Sequence, residues 1–138
     1  MSGYLLDTNL VSEIRKGRQR ANSGVYRWWQ RAKDEPMFLS VMVLGEIRKG
    51  ISNLTRRDRR QGLILERWFE EMERDFSDRV LDVTRTVAGR WGEMQAIRPL
   101  PAVDALIAAT AMEHDLVLVT RNDGDFKDLG VQVLNPFS

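Results

Sequence analysis

The sequence predicts an α/β fold, a three-layer α/β/α sandwich around a mostly parallel sheet, on three observations. Short apolar runs alternate with amphipathic stretches at helical spacing along the whole chain. Leu116-Val117-Leu118-Val119 is an uninterrupted apolar run, as expected of a central parallel strand covered on both faces. Near the start, Tyr4-Leu5-Leu6 runs directly into Asp7-Thr8-Asn9 and the amphipathic residues Leu10, Val11 and Ile14, so a buried strand passes straight into a helix. Asp7 then lies at the carboxyl end of the first strand. In open α/β sheets that end faces the crevice where ligands bind.

After the first helix, residues 17–24 read as a polar break and residues 25–33 as a second helix carrying Tyr26, Trp28 and Trp29. Pro36 stops it, and Met37-Phe38-Leu39 forms a second strand. Ser40 caps the next helix, whose apolar positions Val43, Leu44, Ile47 and Ile51 recur at helical spacing. Residues 53–60 read as a very basic connection to a long amphipathic helix with Leu63, Ile64, Leu65, Trp68, Phe69, Met72 and Phe76 on one broad face. Val80-Leu81-Asp82-Val83 is a third strand, and Thr84 or Thr86 opens a helix with Val87, Trp91, Met94 and Ile97. Arg98-Pro99-Leu100-Pro101 breaks it, and residues 102–112 form a helix buried on most sides. Beyond the Leu116 strand, residues 120–126 form a loop or short helical turn, and Val131-Gln132-Val133-Leu134 a last strand. There is no repeat, linker or low-complexity tract, so residues 1–138 are expected to form one domain.

Composition narrows the chemistry. The chain has 43% hydrophobic and 30% charged residues, and no apolar run approaches the roughly 18–20 residues that span a bilayer. No basic segment followed by an apolar one marks a secretory signal. With no cysteine there is neither a disulfide framework nor a thiolate zinc site, and a reducing cytoplasm is the expected location. The single histidine, His114, ends its helix, where an imidazolium suits the dipole, and is given no catalytic role. Chemistry here rests on carboxylates.

The net charge of +1 conceals an asymmetry. Residues 1–62 hold 13 Lys/Arg against 6 Asp/Glu, a balance of +7; residues 63–138 hold 8 against 14, a balance of −6. The stretch from Ile14 to Lys33 carries seven basic residues and no acid, directly after Asp7. It can hold a phosphate backbone beside a carboxylate site, or simply form a solvated helix face and loop.

Each acid has an ordinary alternative. Asp7 can be a helix cap, although the position three residues on is Leu10, not Glu or Gln. Glu46 can be a solvent-facing helical residue, yet it borders the apolar face, with Gly50 leaving open space beside it. Asp104 opens an otherwise apolar helix, where a carboxylate must cap, pair or bind a cation. Asn122-Asp123-Gly124 is a good turn sequence, which accounts for Asn122 and Asp123 but less readily for Asp125. Converging carboxylates without thiol or imidazole make an oxygen-only site suited to Mg²⁺ or Mn²⁺. Such ions stabilise charge on a phosphate and activate water for attack on a phosphodiester.

Four segments in this order resemble the PIN-domain ribonucleases, and more closely the VapC or FitB-type toxins of bacterial type II toxin–antitoxin modules. They are Leu5-Leu6-Asp7-Thr8-Asn9; Leu39-Ser40 leading to Glu46 and Gly50; Asp104-Ala105-Leu106-Ile107-Ala108-Ala109-Thr110-Ala111; and Val119-Thr120-Arg121-Asn122 with Asp125-Phe126. The closing Leu134-Asn135-Pro136-Phe137 fits the same subgroup. The resemblance implies a metal-dependent endoribonuclease in which Asp7 and Asp104 bind the metal directly and Glu46 binds a second ion or orients the attacking water. Some members carry an acid where this chain has Asn122, so Asp123 or Asp125 supplies the fourth charge. Thr8 and Thr120, with Asn122, are implied to orient the carboxylates by hydrogen bonds. It also implies an RNA substrate, a cognate antitoxin whose C-terminal segment occupies the groove, and a homodimer. Arg15, Lys16 and Arg18 of the basic block, with Arg48 and Lys49 beside Glu46, are the candidate RNA contacts. Trp28, Trp29, Trp68 and Trp91 are expected mainly in the core, with some beneath a partner contact. Two other readings compete. One is a catalytically degenerate module that only binds nucleic acid or a partner. The other is a phosphoryl-transfer or phosphatase domain with Asp7 as nucleophile, disfavoured because Asn9 stands where a second Asp is usual.

Overall fold

Five short strands form one sheet in the order β3-β2-β1-β4-β5, with every neighbouring pair parallel. The computed structural model describes residues 3–138. The strands are β1 (Tyr4–Leu6), β2 (Met37–Ser40), β3 (Val80–Leu81), β4 (Val117–Val119) and β5 (Val133–Leu134). Parallel neighbours require a crossover connection. The helices that supply them are α1 (Thr8–Arg15), α2 (Gly17–Arg20), α3 (Ser23–Ala32), α4 (Val41–Arg57), α5 (Arg59–Asp75), α6 (Arg85–Ile97) and α7 (Ala102–Glu113). The predicted α/β sandwich is therefore the fold observed, with a sheet that is wholly parallel among the described residues.

β1 is the central strand and its flanks explain its sequence. Tyr4 pairs with Met37 on one side and Val117 on the other, and Leu6 with Val119. Leu5, Leu39, Leu118 and Val119 are fully buried, because helices cover the sheet. Ile107, Ala108 and Ala109 of α7 are equally buried, as the apolar sequence of that helix predicts. Among the described residues no helix is long and apolar enough to cross a membrane.

The expected caps form. The Ser40 hydroxyl accepts from the Met42 amide at the start of α4, and Thr84 accepts from Val87 at the start of α6. Three expectations need correction. The polar break contains a short helix, α2, entered through Gly17 at φ +77. The basic stretch 53–60 is not a loop: α4 continues to Arg57, α5 starts at Arg59, and Asp58 alone joins them, its carboxylate capping α5 at the Gln61 amide. Leu63 and Ile64 leave the predicted apolar face and are 58% and 52% exposed, whereas Gly62, Phe69 and Met72 are buried. The cause lies at Gly62. A Cβ there would stand 2.9 Å from the Thr55 Cα, so α5 presses its glycine against α4 and turns its neighbours outward.

Candidate metal centre

β1 and β4 lie side by side at the point where the strand order reverses, and their carboxyl ends open onto one crevice. Asp7 follows β1, with its amide still donating to the Val119 carbonyl of β4. Its side chain is 3% exposed and its oxygens are divided between two tasks. Oδ1 accepts from the Thr8 amide at 2.7 Å, which caps α1. Oδ2 accepts from the buried Thr120 hydroxyl at 2.6 Å. Capping and site are thus compatible here, because the cap uses one oxygen and leaves the other fixed towards the crevice.

Glu46 reaches the same point from α4. Its Oε1 accepts from the Thr8 hydroxyl at 2.5 Å, so Thr8 donates to two different acids, through its amide to Asp7 and through its hydroxyl to Glu46. Asp104 enters from α7. That helix begins after Pro101, with no side-chain cap, and Asp104 lies inside its first turn, so the capping alternative fails. One carboxylate oxygen from each of Asp7, Glu46 and Asp104 lies within 4.8 Å of the other two. Burial, then the carboxylates of Asp7, Glu46 and Asp125, push the Asp104 carboxyl above its ordinary range. Among the described residues, none of the salt bridges reaches this cluster.

The donor set fits a divalent cation. Hard ions take oxygen ligands at roughly 2.0–2.6 Å, so any two ligands of one ion stand within about 5 Å of each other, a limit that the three oxygens, all within 4.8 Å of one another, meet. The acids carry their repulsion without an internal cation, and a bound ion would relieve it.

The predicted fourth acids separate. Asp125 lies on the 3-10 turn (Asp123–Phe126) and is near enough to raise the Asp104 pKa, but it is exposed and outside the close cluster. Arg98 donates to the Asp125 and Lys127 carbonyls and holds this turn in place. Asp123 also stands outside the cluster: its Oδ1 accepts from the Asn135 amide group at 3.0 Å, and Arg121 lies 4.3 Å over the Phe137 ring. The closing Asn135-Pro136-Phe137 segment therefore straps the acidic turn. The Asn122 amide donates to the Thr120 hydroxyl at 3.0 Å.

Asn9 is a contributor that sequence reasoning misses. Its amide group lies 3.4 Å from both Asp7 Oδ2 and Thr120 Oγ1, and its Oδ1 accepts from the Arg121 amide at 3.2 Å. The signal that could have found it is its position two residues after Asp7 at the strand exit. The candidate cations differ in freedom. Arg48 is held by both guanidinium nitrogens on Glu66, at 2.5 and 2.7 Å, over the Phe69 ring, and Lys16 pairs with Glu13. Arg15 lies 5.7 Å over Trp68, while Arg18 and Lys49 are exposed. Of the tryptophans, Trp28 is buried and Trp29, Trp68 and Trp91 are half-buried.

Comparison with known proteins agrees with this geometry. The PIN domain family model matches residues 4–132. Toxin FitB of Neisseria gonorrhoeae is 30% identical, over 96% of this chain and 97% of its own length. VapC ribonuclease Y4jK of Sinorhizobium fredii is 28% identical, over 96% of each chain. The crystal structure of FitAcB from Neisseria gonorrhoeae superposes with a TM-score of 0.81 at 30% identity, over 96% of this chain and 97% of that one. With its parallel sheet, its acids at the strand ends and a family match across nearly its whole length, the chain belongs to the PIN-domain family.

Proposed function

We propose that this protein is a divalent-metal-dependent endoribonuclease, the toxin of a type II toxin–antitoxin module, acting in the cytoplasm on an RNA substrate. The observation that carries this reading is the convergence of Asp7, Glu46 and Asp104, three acids without a cationic partner among the described residues, at the strand ends of a PIN fold. The relatives named as a toxin and a ribonuclease support the same activity.

Asp7 and Asp104 hold the metal, taken as Mg²⁺ or Mn²⁺ from the all-oxygen donor set. When bound, the ion supplies charge stabilisation on the phosphodiester and a more acidic water. Glu46, oriented by Thr8, accepts a proton from the attacking water or holds a second cation. Thr120 and Asn9 fix the free oxygen of Asp7, so the ligand does not reorganise when charge develops. Asp125, placed just outside the three, is the better fourth acid because Asp123 is engaged by Asn135.

The proposed partner is a cognate antitoxin, with the toxin itself a homodimer. A cavity of about 240 Å³ beside the site, lined by Leu6, Val11, Trp29, Trp68 and Phe76 with Glu71 and Asp75 at its edge, suits an apolar anchor flanked by a basic residue. An Arg or Lys of that segment reaching the carboxylates would displace the metal. Expression of the chain should arrest growth, and co-expression of the antitoxin should relieve it. Asp7→Asn or Asp104→Asn should abolish the arrest while the purified variants keep the wild-type circular dichroism. Continued arrest by a folded Asp104→Asn protein would refute the proposal.

A further inference from the structure

The most basic part of the chain lies away from the carboxylates, at the tip of the hairpin formed by α4 and α5. Arg56 and Arg57 end α4, Arg59 and Arg60 begin α5, and only Asp58 separates the pairs. All four arginines are exposed, and among the described residues none forms a salt bridge. The one acid present is already accepting from the Gln61 amide. Arg59 and Arg60 sit in the first turn of a helix, where the macrodipole opposes cations, and that turn contains no acid. Helix stability therefore does not explain them. Local violations of this kind concentrate at functional surfaces.

A groove of about 290 Å³ connects this tip to the site. Thr8 and Glu46 stand at one end, Gly50 lies along it, Arg57 stands at the other end, and Arg15 and Trp68 line its wall. Arg57 stands eleven positions after Glu46 on α4, which at 1.5 Å per residue is about 16 Å. Cations beside an aromatic ring are the surface that single-stranded nucleic acid binds, through phosphates and base stacking. Arginine in place of lysine adds bidentate contact with phosphate. The neighbouring cavity shares Arg15 and Trp68 with this groove but is otherwise lined by apolar residues with Glu71 and Asp75, a lining that suits a peptide better.

We infer that Arg56, Arg57, Arg59 and Arg60 form a phosphate grip that holds the single-stranded flank of the RNA several nucleotides from the carboxylates, with Arg15 and Trp68 lining its path. This rests on the ribonuclease reading and adds a binding site to it. The grip makes affinity depend on RNA length and salt.

The test is binding of labelled single-stranded RNA, about 20 nucleotides long, to Asp104→Asn protein with the tip intact or with all four arginines changed to Gln, across a salt series. The tip variant should bind about tenfold or more weakly, and its log K against log salt slope should flatten by about 0.7 for each phosphate the tip no longer neutralises. A trinucleotide, too short to reach the tip, should show a far smaller difference. Asp58→Ser keeps a capping hydroxyl and adds one unit of positive charge, so it should bind the long RNA more tightly, a gain that a merely structural tip would not give. Equal affinity and slope in the intact and substituted proteins would overturn the grip, as would tip-dependent binding of polyglutamate without binding of RNA. Wild-type protein that cleaves no RNA would overturn the ribonuclease reading instead, so the two failures are distinct.

Discussion

Thr120 has the largest effect expected of a residue outside the acids. Its buried hydroxyl donates to Asp7 and accepts from the Asn122 amide, joining a carboxylate of the cluster to the start of the acidic turn. Thr120→Val keeps the shape and removes these two bonds together with the one accepted from Asn9. Activity and metal affinity should fall about 10–100-fold, read by titration and initial rates. Asp104 sets the pH response. Because burial and then the carboxylates of Asp7, Glu46 and Asp125 raise its pKa, the folded metal-free protein binds more protons than the unfolded chain. Its stability contribution is therefore favourable at low pH and is lost as pH rises from the ordinary carboxylate value through the raised one. Two thermal-denaturation results should follow: without metal, Asp104→Asn melts above wild type at neutral pH, and added Mg²⁺ or Mn²⁺ raises the wild-type Tm but not the variant's. At this scale the sequence was informative about which acids converge, since Asp7, Glu46 and Asp104 come together at one point. It was less informative about which polar neighbours matter. The Arg48–Glu66 pair and the Asn9 contact with Thr120 join separate elements, which no local pattern in the sequence marks.

Among the elements, the α4–α5 hairpin departs most from what its sequence suggested. A run of arginines reads as a solvated connection, yet one capping Asp58 is enough to end one helix and begin the next. The close approach at Gly62 then fixes how the helices pack. Gly62→Ala must push against the Thr55 backbone, so it should destabilise the protein by about 1–3 kcal/mol, measured by denaturant unfolding, despite the better helix propensity of alanine. Strands and caps were more legible. Tyr4–Leu6, Met37–Ser40 and Val117–Val119 carry continuous apolar runs, and Ser40 and Thr84 cap helices by rules that need no tertiary information. The outward turn of Leu63 and Ile64 was not legible, because helical periodicity defines a face but not which part of it finds a partner.

The molecule as a whole assembles its chemistry through topology. Placing β1 between β2 and β4 brings residue 7, the α4 residue 46 and the α7 residue 104 to one crevice, although 97 positions separate the first from the last. The parallel strands direct their carboxyl ends the same way, and the reversal of order between β1 and β4 opens the space the acids occupy. The basic first half of the chain supplies cations along the groove that leads from this crevice, from Arg15 on its wall to Arg57 at the hairpin tip. Metal chemistry at the carboxylates is the central claim, and cleavage of a mixed RNA pool by the purified, antitoxin-free protein tests it most directly. Discrete cuts with Mg²⁺ or Mn²⁺, absent with EDTA and absent with folded Asp104→Asn protein, are the predicted result. Cuts that persist in both controls, or a wild-type protein that neither binds the metal nor cleaves, would contradict it.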